Sequence, residues 1–136
     1  MNRRDVPMRV PQAITQDILE AADRAVHEAF PYAQRAKYPS PPNEPRLLHG
    51  RGAVMLDRVD RRGYVIGAVR SLGIHIEVAR GGAVVLAYVE VRTRNKGQLT
   101  LASRAYPAPD VPTPDDLRAL AAEAADNLRS LPAAEA

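Results

Sequence analysis

Between residues 14 and 33, apolar side chains recur at Ile14, Ile18, Ala22, Val26, Ala29 or Phe30, and Ala33. That is the 3.6-residue spacing of a helix burying one stripe. Pro11 suits a first helical turn and Pro31 a helix end, so the pattern predicts a helix over about 12–30. From residue 53 the period changes to two. Segments 53–59, 64–70, 74–80, 83–94 and 98–106 are rich in Val, Ile, Leu and Tyr, with short glycine-bearing connections between them. They predict an antiparallel β-meander of about five strands. Thr113-Pro114-Asp115-Asp116 then offers an N-cap threonine, a proline at the first helical position and an acid at the third. Leu117, Leu120, Ala121, Ala124, Leu128 and Leu131 follow as the stripe of a second helix, ended by Pro132.

Parity fixes the faces. A turn at Gly81-Gly82 pairs Val78 with Val85, Ile76 with Ala87 and Ile74 with Val89. A three-residue turn at Asn95-Lys96-Gly97, with Gly97 left-handed, pairs Thr93 with Leu99 and Val91 with Leu101. Both put Ile74, Ile76, Val78, Val85, Ala87, Val89, Val91, Leu99 and Leu101 on one side. Two amphipathic helices need such a surface, so the fold class expected is α+β, a two-layer sandwich with both helices on one sheet face. The other face then holds His75, Glu77, Val84, Leu86, Tyr88, Glu90, Arg92, Arg94, Thr100, Ala102 and Arg104. One end of it is apolar (Val84, Leu86, Tyr88, Ala102, with Val65 and Val69), and the other carries arginines, with Arg61 and Arg62 in a nearby turn.

The length, 136 residues, suits one domain. We read a basic arm at 1–10, a single α+β domain at 11–132 and a tail at 133–136. The stretch Tyr38-Pro39-Ser40-Pro41-Pro42-Asn43-Glu44-Pro45 makes 38–50 an extended connector. No apolar run approaches the ~18 residues of a membrane span, and no membrane partner is expected. Cysteine is absent, which removes disulfides, thiol nucleophiles and Cys-type metal sites and points to the cytoplasm. Charge is uneven behind a net +3: residues 46–104 carry eleven basic against four acidic side chains, net +7, and residues 105–136 two against six, net −4.

An apolar strip beside a basic rim reads as a contact surface. We expect a non-catalytic binding or assembly module that touches a protein partner, or a second copy of itself, through Arg61, Arg62, Val84, Leu86, Tyr88, Arg92, Arg94, Lys96 and Arg104. The alternative is nucleic-acid binding by the basic strand region, where Arg58, Arg70 and Arg80 add phosphate contacts but only Tyr64, Tyr88 and Tyr106 offer stacking. The order helix–strands–helix is similar to that of double-stranded-RNA-binding modules, whose basic second helix is acidic here.

Glu77 to Arg94, EVARGGAVVLAYVEVRTR, resembles the D-x12-E-x-K strand pair of the PD-(D/E)XK nuclease superfamily. The resemblance implies that Glu77 and Glu90 hold a divalent metal while position 92 orients the attacking water. It covers 18 residues and departs from the pattern with Glu77 for aspartate and with Arg92 for lysine, a group that does not give up its proton. Other constellations are thinner. Glu20, Asp23 and His27 share a helical face, which suits a solvated ion pair better than a metal. His49-Gly50-Arg51-Gly52 is similar to the histidine-glycine segment of hot-dog-fold thioesterases, yet no helix follows to complete a phosphate or thioester site. His75 beside Glu77 is a same-face neighbour pair. No cofactor or metal is expected.

Overall fold

Thr15 opens the first helix, α1 (Gln16–Ala29), by accepting the Ile18 N–H at 3.3 Å on its hydroxyl. The helix therefore starts later than Pro11 predicts: the cap sets the first turn, not the proline. Its buried stripe is Leu19, Ala21, Ala22, Ala25 and Val26, closed by Phe30. The second helix, α2 (Pro114–Arg129), begins as the sequence predicts. The Thr113 hydroxyl accepts from the Asp116 N–H at 3.1 Å, and the Thr113 N–H donates to the Asp116 carboxylate at 2.9 Å. Leu117, Leu120, Ala121, Ala124 and Leu128 are buried on it, with Ala125 beside them.

The structure is a computed structural model that describes residues 14–32, 46–48, 51–56, 59, 63, 72–93 and 97–131. Four strands form its antiparallel sheet: β2 (Arg51–Leu56), β3 (Leu72–Ala79), β4 (Val84–Thr93) and β5 (Gly97–Pro107). A three-residue strand, β1 (Arg46–Leu48), lengthens it beside β2. Two expectations change here. The end of the 38–50 connector is strand, because Arg46–Leu48 folds back on Arg51–Ala53. β2 pairs directly with β3, Val54 against Ile74 and Leu56 against Leu72, so no strand lies between them. The expected strand at 64–70 lies outside the described residues, as do the arm at 1–10 and the tail at 133–136.

β3 and β4 pair as parity requires, Val78 with Val85, Ile76 with Ala87 and Ile74 with Val89. The turn between them spans Arg80–Ala83 rather than two glycines alone, with Gly81 at φ 64° and Gly82 at φ 105°. α1 packs on β1, β2 and β3, α2 packs on β4 and β5, and the helices touch each other. Both thus cover one face, onto which Val54, Leu56, Leu72, Ile74, Ile76, Val85, Ala87, Val89 and Val91 point, all at most 3% exposed.

Gly52 lies directly beneath Leu19 of α1. A Cβ at that position would stand 2.2 Å from Leu19 Cδ2, and Leu19 is fully buried. Gly52→Ala should therefore destabilise the fold by about 1–3 kcal/mol through overpacking. Urea unfolding checks this, and an unchanged midpoint would show that Leu19 can move aside.

Candidate functional site: the sheet face opposite the two described helices

β5 decides which side chains reach this face. Thr93 pairs with Gly97 and Val91 with Leu99, so the register differs by two from the expected one. Gly97 is left-handed at φ 68°, and the Thr93 hydroxyl donates to its carbonyl at 3.0 Å. A shift of two keeps parity, so Leu99 and Leu101 still face the helices. Between Val89 and Glu90 the pairing then slips by one: Glu90 faces Thr100, Val89 faces Ala102, and Leu101 is the extra residue of a β-bulge. Asn127 on α2 donates through Nδ2 to the Leu101 carbonyl at 2.6 Å.

The bulge reverses the rest of the strand. Ala102 is buried on the helix side, correcting its expected place on the open face. Arg104 is corrected likewise: opposite Ala87, it reaches α2 and pairs with Glu123, Nη2 to Oε1 at 2.5 Å. The hydrogen bond to Arg104 holds the Glu123 carboxyl below its ordinary range, and the same bond raises the guanidinium further. Tyr106 also turns inward, where burial, and then the charge of Asp116, push its phenol up.

What remains, among the described residues, on the face opposite α1 and α2 is an ordered set of cross-strand rows. Glu77 lies opposite Leu86, His75 between Ala53 and Tyr88, and Gly73 between Met55 and Glu90. The His75 imidazole stacks on the Tyr88 ring, centroids 5.0 Å apart and planes 15° from parallel. The Tyr88 hydroxyl donates to Glu77 Oε2 at 3.3 Å, and His75 Nε2 stands 3.7 Å from Glu90 Oε1. Gly73 makes room for this: a Cβ there would meet Met55 Sδ at 2.4 Å and His75 Nε2 at 3.0 Å. The set is half-buried, with side chains 21% exposed at His75 and 23% at Glu90.

Of the expected contact residues, Val84, Leu86 and Tyr88 lie on this face, half-buried, and Arg92 lies on it exposed. Arg104 does not. Arg61, Arg62, Arg94 and Lys96 lie outside the described residues, as do Arg58, Arg70, Val65, Val69, His49 and Tyr64. The sequence reading places His75, Glu77 and Glu90 on the face but treats His75 and Glu77 as a pair; the structure joins each to Tyr88 or Glu90 instead. The signal was the register itself, since His75 and Tyr88 face each other once Val78 pairs with Val85.

The two carboxylates are kept apart. Glu90 lies four residues along β4 from Leu86, the partner of Glu77, which is roughly 13 Å of strand. Among the described residues no group of three His, Asp or Glu side chains is arranged to hold a metal ion. Asp23 and His27 on α1 form the expected i,i+4 pair at 3.4 Å.

No family model matches this sequence, and no curated protein or solved structure matches it either.

The Asn127 and Arg104 contacts should differ in weight. Asn127→Ala frees a carbonyl at the bulge and should cost about 1 kcal/mol. Arg104→Ala removes an exposed ion pair and should cost less than about 1 kcal/mol at neutral pH. Because the folded-state pKa of Glu123 is lowered, its contribution is full above the unfolded glutamate range and fades as pH falls through the lowered value. Denaturant midpoints should show the Arg104→Ala difference closing in acid. An Arg104→Ala loss larger than that of Asn127→Ala would reverse this ranking.

Proposed function

We propose that the chain is a non-catalytic binding module whose working surface is the sheet face opposite α1 and α2, and that the partner is a polypeptide. The observation that carries this reading is the composition of that face: the apolar Val84 and Leu86 adjoin a half-buried His75–Tyr88 stack with carboxylates at both ends. Preorganised aromatic and aliphatic side chains supply affinity in protein contacts without losing much freedom. The face spans four strands, roughly 19 Å across at ~4.8 Å per strand, and some 20–30 Å along them. That is about 400–600 Å² per partner, which suits a small, reversible contact.

Nucleic acid is the second reading, and Glu77 and Glu90 weigh against it, because two carboxylates on the face repel phosphate. Arg104, counted among the basic contacts, is turned to Glu123 on the other side. No described helix is long and apolar enough to cross a membrane. A chain without cysteine also fits a reducing compartment such as the cytoplasm.

Leu86→Arg tests the reading, since it places a charge in the apolar end of the face without touching the core. The variant should remain folded, with an unfolding free energy within about 1 kcal/mol of wild type. It should lose a polypeptide that wild type binds, measured by calorimetry with that polypeptide. Equal affinity of both proteins for it would overturn the assignment. For the second reading, DNA affinity should rise in the double variant Glu77→Gln, Glu90→Gln and fall steeply with salt. Tight, salt-sensitive DNA binding by the unaltered protein would replace the first reading with the second.

A further inference from the structure

We propose that the C-terminal half of β5 has two registers, and that Asn127 is the latch that selects between them. Up to Thr100 the strand pairs with β4 in strict alternation, and from Ala102 it pairs one residue out of step. The extra residue, Leu101, is held from outside the sheet by one hydrogen bond, Asn127 Nδ2 to its carbonyl at 2.6 Å. Asn127 is itself exposed, so water competes for the same groups. Absorbing the bulge sets Leu101 opposite Val89, Ser103 opposite Ala87 and Arg104 opposite Leu86.

The side chains do not decide between the two. A register is strongly specified only where a slip exposes an apolar set or buries a polar one. In the observed pairing the helix side receives Ala102, Arg104 and Tyr106, of which only Ala102 is fully buried. In the straight pairing it receives Ser103 and Ala105, with Leu101 still inside. The pattern of residues 98–106 alone favours that second arrangement, since it continues the side of Leu99 and Leu101. Ser103, Ala105 and Pro107 now point away from the helices and are exposed, so that flank has room for Arg104 and Tyr106. β5 is the last strand of the sheet, and a slip there breaks one ladder rather than two. The slip gives up the Arg104–Glu123 pair, whose side chains are 46% and 40% exposed and which therefore weighs little. It also gives up the bond from the Ala108 N–H to the Ala83 carbonyl. One residue of chain, about 3.4 Å, passes into 108–112 ahead of the Thr113 cap. A guanidinium thereby moves from Glu123 to the row of Glu77 and Leu86, so the latch sets the charge of that row.

Relaxation-dispersion and saturation-transfer NMR on the intact chain test the wild-type protein. Exchange should be confined to residues 84–89 and 101–107, with the second register at roughly 0.1–10% of molecules. Asn127→Ala, and Asn127→Asp whose carboxylate cannot donate, should each raise that population roughly fivefold, the weight of one net hydrogen bond. A chain without cysteine allows a direct trap. The pair Leu86→Cys with Arg104→Cys lies on opposite sides of the sheet in the observed register and face to face in the other. Its disulfide should close roughly fivefold faster when Asn127→Ala is added. A single register in wild type and variants overturns the proposal. So does exchange, or a closure rate, that Asn127→Ala leaves unchanged, and so does a variant whose residues 101–107 unpair instead of pairing anew. Should neither Asn127 variant fold, the wild-type minor state decides: shifts of a paired strand support the second register, and shifts of an unpaired one, or no exchange, overturn it.

Discussion

Both surfaces of the sheet are defined by how β3 and β4 pair about the Arg80–Ala83 turn. Because side chains alternate strictly, the one register that sets Ile74, Ile76, Val85, Ala87 and Val89 beneath the helices also gathers His75, Glu77, Leu86, Tyr88 and Glu90 on the far side. Core and candidate site are thus one decision. A slip by a single residue would expose the aliphatic set and bury two carboxylates, and that penalty locks the aromatic pair in place more firmly than any contact within the site.

Most of this architecture was legible. The α2 stripe, the cap at Thr113, the parity of β3 and β4, and the burial of the aliphatic set all follow from spacing and from the turn residues between strands, whereas on α1 the spacing found Ala22, Val26 and Phe30 but missed Leu19, Ala21 and Ala25. Two kinds of feature escaped. A bulge carries no mark in the local pattern: Leu101 and Ala102 are both small enough in polarity to read as ordinary strand, and only the Asn127 amide from a distant helix shows why the extra residue is held there. Thr15 displaced Pro11 as the start of α1 because a side chain that satisfies a free N–H outweighs a favourable backbone angle.

The charge map shows the same limit. A count of +7 over residues 46–104 suggests a basic face, yet the sign of a surface depends on where each residue points. Arg104 is spent on Glu123, joining the basic middle of the chain to its acidic end, while Glu77 and Glu90 stand on the side that the count makes positive. Linear charge blocks that attract one another can neutralise each other across the folded surface, so a count along the chain does not give the sign of a face.

β5 is eleven residues long and ends the sheet, where a straight ribbon of that length would recruit further chains into fibrils. Its extra residue interrupts the regular pairing, and Pro107 removes a donor at its last position. The border that most invites uncontrolled growth is thereby blunted, and the sheet stops at a defined width.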